Sequence, residues 1–287
     1  MAYTNFKSNV WAKAIERERD RYCVGVNLCN RDYETDAADF GQSIIINWTK
    51  RPTVRDYQIG TNIAAAETLG DASKTLDIDN LKYVNFLVDD VDELQSNPDI
   101  MRSCMMEAAA AIAEDADNFV YGLYRDAGTT ITQSALTSQN VVECLSEAAQ
   151  KLYENNVPMN EDIYLEVSPA VYQKLWLAKV LKTYPNEKEM GSGFVGKFNN
   201  FNVYMTNGIS VTSNVHHCYA RTRKAIAFVG QMKKMEAYRP EGLFADAVKG
   251  LHVYGGLVVR PEELVCLDLT PAPESDSLTV SDEGNAA

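Results

Sequence analysis

The chain has 287 residues, 46% of them hydrophobic, and 27 basic against 40 acidic side chains leave a formal net charge of −13. That length buries a sizeable core in one large domain or two smaller ones. The acidic balance, with no dense basic run, excludes a dedicated nucleic-acid reader, and no apolar run is long enough to span a bilayer as a helix.

The N-terminal stretch "MAYTNFKSNVWAKAIERERDRY" has no apolar core of signal-peptide length. Residues 1–35 read as a polar, charge-alternating arm. Ser8 caps a short helix in which Glu16–Arg19 and Glu18–Arg21 pair at i,i+3, and its apolar face, Trp11, Ile15 and Tyr22, is thin enough to need a neighbour. "GQSIIINW", Gly41 to Trp48, reads as a strand, and "LKYVNFLV" as another ending at Val88. The segment between them carries Pro52, Gly60 and Gly70 and reads as a long surface excursion that holds no core.

The strongest periodic signal follows. Met101, Cys104/Met105, Ala108, Ile112, Ala116, Phe119 and Leu123 step by three and four along one helical stripe. Asn97 is a natural N-cap with Pro98 at the first position and Asp99 at the positive end of the dipole, and Arg125 and Gly128 are stop signals. At 1.5 Å per residue the helix is roughly 40 Å long. Its mid-helix acids Glu114, Asp115 and Asp117 read as a solvated or partner-facing side. Further on, Ser138 to Asn155 predicts a helix and "DIYLEV" a strand. "SPAVYQKLWLAKVL" predicts a helix capped by Ser168 with Pro169 first. "FNVYMTN" and "KAIAFV" predict strands, and "LHVYGGLVVRPEELVCLDL" the last extended pieces. This order is α+β. Residues 271–287 form an acidic tail of disordered composition.

Three chemical readings fail on spacing. Asp89, Asp90, Asp92 and Glu93 crowd together, but a calcium loop from Asp90 needs Gly sixth and Glu twelfth, where Gln95 and Met101 stand. "GSGFVG" (Gly191, Gly193, Gly196) is a literal dinucleotide fingerprint, yet it follows a polar stretch and precedes a strand-like one, so it reads as a flexible loop. The six cysteines show no CxxC pair and read as reduced, buried thiols. His216–His217 beside Cys218 is the nearest approach to a metal cluster, and adjacent residues of an extended segment face opposite sides. There is no GxSxG elbow, and His252 reads as structural within a strand. The sequence thus predicts no catalytic, cofactor-binding or metal residue.

The segment order is recognisable. A charged arm leads to "GQSIIIN" and a long excursion, and "NFLVDDVDELQSNPDIM" runs into the long helix. Then come "LEVSPAVYQKLW", a glycine loop, "FNNFNVYMTNGI" and the closing "KAIAFVGQMKKMEAYRPEGLFADAVKGLHVYGGLVVRPEEL". Over residues 36–270 this resembles the major capsid protein of tailed bacteriophages, with the Hong Kong 97-type fold. The resemblance implies an N-arm (1–35), an E-loop and peripheral domain with a spine helix at 98–126 (36–136), an axial domain (137–240) and a return to the peripheral domain (241–270). It implies a non-enzymatic subunit forming pentamers and hexamers with its own copies, a virion location after assembly in the host cytoplasm, and an icosahedral shell around double-stranded DNA held without sequence-specific binding. Portal and decoration proteins, and a scaffold on a separate chain, are the implied partners. Some members cross-link through a lysine; Lys50 lies in the E-loop region, but its partners do not match, so that chemistry is not assigned. Intersubunit contact candidates are Arg17, Arg19, Arg21, Lys50 and Arg51, set against Asp89, Asp90, Asp92 and Glu93. The alternatives are an encapsulin-type compartment shell, which shares the fold, and a nucleotide-dependent oxidoreductase using Gly191, Gly193 and Gly196.

Overall fold

The computed structural model describes residues 23–34, 43–49, 53–57, 59, 60, 62, 65, 71–89, 100–181, 193–242 and 245–273. In chain order the first strands are β1 (Ser43–Thr49), β2 (Asp71–Asp77) and β3 (Asn80–Asp89), followed by helix α1 (Ile100–Gly122), which continues as a 3-10 turn to Asp126. Next come β4 (Thr129–Leu136), α2 (Val141–Glu154), β5 (Ile163–Val167) and α3 (Pro169–Leu177). The remainder is strand: β6 (Phe194–Phe198), β7 (Phe201–Met205), β8 (Val211–Thr212), β9 (Val215–Thr222), β10 (Ile226–Tyr238), β11 (Ala245–Val258) and β12 (Leu264–Pro271). The α+β expectation holds. The residues divide into two units, one from Cys29–Ala113 and Ile226–Val259, the other from Arg21–Leu28, Glu114–Ala225 and Arg260–Ala287.

In the first unit β3, β11 and β10 form an antiparallel sheet, with Phe86 opposite Val248 and Tyr83 opposite Leu251. Side chains alternate across it. Val84 and Phe86 point toward Ala109 and Ile112 of α1, where Met232 and Val248 complete a buried cluster. β1 and β2 pair into a two-stranded antiparallel ribbon, Ser43 opposite Asp77 and Thr49 opposite Asp71. The ribbon corrects the expectation of a coreless excursion: Ile46, Leu76 and Ile78 are buried with Val229, Val253 and Val259. At this seam Gly255 touches backbone, and a Cβ there would stand 2.2 Å from the Asp77 carbonyl oxygen.

In the second unit a sheet runs β4-β12-β9-β5-β7-β6, with β8 on β9. α2 presents Val141, Cys144, Leu145, Ala148, Ala149 and Leu152 to it, on the spacing the sequence predicts. α3 begins as expected, with Pro169 first and the Ser168 hydroxyl accepting from the Val171 N–H at 3.4 Å. The other face of β9 carries Tyr219, whose hydroxyl donates to the Tyr121 carbonyl at 2.9 Å.

Two further expectations are corrected. Among the described side chains of α1, Ala109, Ile112, Ala113, Ala116, Asp117, Val120 and Tyr121 are buried, whereas Ala108 and Phe119, and Leu123 just past its end, are only partly buried. The stripe is rotated from the predicted one, because a run of alanines leaves the phase to packing. "GSGFVG" is no loop from Gly193 onward: Phe194 to Phe198 pair antiparallel with β7, and Gly193 takes φ +82° where its carbonyl accepts from the Met205 N–H. A strand there, instead of a helix N-terminus, removes the group that would hold a pyrophosphate. Gly191 lies outside the described residues, as do the expected cap Asn97 and its neighbours Pro98 and Asp99.

Gly255→Ala drives a methyl into backbone that cannot swing aside. It should lower unfolding stability by about 1–3 kcal/mol or more, read as a fall in the urea midpoint.

Candidate assembly surfaces

Arg17, Arg19, Arg21, Lys50, Arg51, Asp90, Asp92 and Glu93 lie outside the described residues. Asp89 is the last residue of β3, its backbone opposite Ala245, with its side chain outside the described positions. The expected charge contacts, which would join neighbouring subunits, therefore fall outside the described residues.

What it does place is exposed apolar surface. The face of β3 turned away from α1 carries Leu81, Tyr83 and Leu87, with Tyr83 78% exposed, and Tyr238 of β10 lies on the same side, its hydroxyl directed to the Asn85 side chain at 3.3 Å. Ile45 projects from β1, and Val54, Tyr57 and Ile59 follow in the segment between β1 and β2, Val54 and Ile59 almost fully exposed. Apolar side chains of this size each contribute roughly 1.5–3 kcal/mol when fully buried. Contiguous exposed apolar surface is the kind that interaction sites present.

The second unit holds the segment that leads out of the N-terminal stretch. Asp117 accepts from the N–H groups of Val24 at 2.7 Å and Val26 at 2.9 Å. Arg221, fully buried, donates to the Leu28 and Gly25 carbonyls at 3.0 Å each and to Glu166 at 2.6 Å. Tyr121 packs so closely on Gly25 that a Cβ there would meet its ring at 2.9 Å. Asp117 is thus no solvated side, which corrects the sequence reading. An acid in the middle of a helix gives no signal of burial when its partners are backbone N–H groups some ninety positions away.

Burial raises the Asp117 pKa from 3.8 to about 6, against the lowering pull of the Val24, Val26 and Gly25 N–H groups; the charge of Glu166 adds to the rise. A second cluster lies on the same face of β9. His217 Nδ1 is 2.6 Å from Asp268 Oδ1, the Cys266 thiol is 3.3 Å from that oxygen, and Tyr124 stacks on the imidazole at 3.9 Å between ring centroids. Burial first, then the negative charge of Asp268, pushes the Cys266 thiol up. His216, its neighbour, alternates to the opposite face.

Solved structures share this fold. A structure from Mycobacterium phage Che8 matches with a TM-score of 0.68 and 29% identity, covering 85% of this chain and 90% of that one. The capsid of cyanophage P-SCSP1u matches at 0.64 and 18% over 83% and 85%. A virus-like particle from Pyrococcus furiosus matches at 0.58 and 16% over 92% and 100%. No protein-family model matches the chain, and no curated protein does. The chain has the Hong Kong 97-type α+β fold of tailed-phage major capsid proteins.

Asp117→Ala leaves the buried Val26 N–H without an acceptor and should lower stability by about 1–3 kcal/mol in denaturant unfolding. The pH dependence has a definite sign. Because the folded pKa lies above the unfolded one, the stability contributed by Asp117 is complete below about pH 4 and lost as pH rises through about 6, by about 3 kcal/mol. Unfolding curves of the native chain minus those of Asp117→Asn should show that fall and level off above about pH 7; a difference that stays flat from pH 4 to 8 contradicts it.

Proposed function

We propose that the chain is the major capsid protein of a tailed bacteriophage, copies of which assemble as pentamers and hexamers into the icosahedral head that encloses double-stranded DNA. The observation that carries this is 29% identity, on a shared fold, over nine-tenths of a phage chain. The acidic balance fits a shell that confines DNA without gripping it. The unit with β3, β10, β11 and the first half of α1 is read as the peripheral domain, and the unit with the large sheet as the axial domain. The β1–β2 ribbon and the exposed segment between its two strands serve as the E-loop, laid on a neighbouring subunit. The role is structural and non-enzymatic, in the virion after assembly in the host cytoplasm. Portal protein fills one vertex, and a separate scaffold and decoration proteins complete the set of partners.

A second reading is a compartment shell of the encapsulin type, favoured by the match to the Pyrococcus furiosus virus-like particle along its whole chain. The contents separate the two: packaged DNA fits the head, packaged protein the compartment.

Expressed with its scaffold, the chain should give closed shells in electron micrographs; a stable monomer under those conditions contradicts the proposal. Tyr83→Ser combined with Leu87→Ser should abolish shells while leaving the unfolding free energy of the free subunit within about 1 kcal/mol, since both side chains are exposed in the single chain. The carboxylates at the end of β3 are read as meeting arm arginines of a neighbour, Arg17, Arg19 and Arg21. Asp89→Lys with Asp90→Lys should therefore impair assembly more than folding, and normal particles from that variant refute the contact.

A further inference from the structure

We propose that His217, Cys266 and Asp268 form a binding site for one divalent cation of the zinc class. β9 and β12 are antiparallel neighbours with His217 directly opposite Asp268, and Cys266 stands two residues before it. All three side chains therefore leave the same face of the sheet. Their ligand atoms lie within 4.8 Å of one another. The two short separations, 2.6 Å from Nδ1 to Oδ1 and 3.3 Å from Sγ to Oδ1, need to widen by only roughly 0.3–0.7 Å to seat an ion at ordinary zinc bond lengths and tetrahedral angles.

The donor set selects the metal class. Imidazole, thiol and carboxylate together suit zinc or cobalt, whereas magnesium and calcium take oxygen ligands. The strands are interior to the sheet, and Tyr124 lies flat on the imidazole, within 9° of parallel, so the His217 ring is held before any ion arrives. His217 and Cys266 are buried, while the Asp268 side chain is 23% exposed. That opening is the path in, and it leaves a fourth position for water. Binding exchanges one proton for the ion: the Cys266 thiol proton leaves to solvent, and the imidazole proton moves from Nδ1 to Nε2, which has no hydrogen-bond partner among the described residues. Without metal, the same trio is held by hydrogen bonds to Asp268. The site fastens β12 to β9 independently of any assembly role.

The test titrates the full chain, freed of metal with a chelator, with cobalt(II) and then zinc(II). One equivalent of cobalt should bind and give a thiolate-to-cobalt charge-transfer band, displaced by zinc. Cys266→Ser should abolish the band and Cys144→Ser should leave it. Asp268→Asn should weaken cobalt binding by about tenfold or more, the loss that removing even an outer-shell group produces. Absence of saturable binding in the full chain overturns the proposal, and so does a band that survives Cys266→Ser. Should that variant fail to fold, unchanged cobalt affinity in Asp268→Asn, altered at the half-open position, overturns it equally.

Discussion

Arg221 is the side chain on which the second unit turns. Its guanidinium sits fully buried beside Glu166, also fully buried, and donates from its two terminal nitrogens to the Leu28 and Gly25 carbonyls. Tyr164 lies opposite Arg221 and Tyr219 opposite Glu166 in the pairing of β5 with β9, so the ion pair is a diagonal contact on one face. A slip of one residue would send one charge to the other face, where α2 packs, without its partner. Burying two charges is costly, and a well-packed apolar pair would serve stability as well. What the charges add is geometry: one fixed register, and one fixed seat for residues 23–28. Asp117 completes the seat from the other side by taking the N–H groups of the same segment.

The first unit is organised differently. Its sheet is anchored by apolar packing against α1 on one face and by the base of the β1–β2 ribbon on part of the other. The rest of that second face stays bare around Leu81, Tyr83 and Leu87. A sheet with one face packed is stable alone, so the bare part is free to serve contact. This is the surface expected of a subunit whose core is finished by other copies, and obligate interfaces of that kind bury on the order of 2,000–5,000 Å².

How far the sequence revealed this depends on the range of the interaction. α2 and α3 were legible because their signals are local: an apolar residue every three or four positions, and Ser168–Pro169 at a helix start. The length of α1 was legible for the same reason. Its phase was not, since Ala108 to Ala111 offer no bulky residue to mark a face, and packing against Met232 and Val248 decided it. β4, "TTITQSAL", shows weak alternation and becomes a strand only by parallel pairing with β12. β9 was missed because its own run is mixed, and its burial comes from Tyr121 of α1 on one side and α2 on the other. The trio of His217, Cys266 and Asp268 depends on the β9–β12 register, which no spacing along the chain encodes. The overall architecture was legible through the order of segments, a property of the whole chain.

The central claim is that the exposed face of β3 and the ribbon beside it are completed by neighbouring copies. Hydrogen exchange of the same chain, unassembled and in closed particles, tests it directly. The account predicts that peptides covering residues 43–49 and 80–89 exchange markedly more slowly in particles, while the β5 core of residues 163–167 is slow in both. Equal exchange of residues 80–89 in the two states would contradict it.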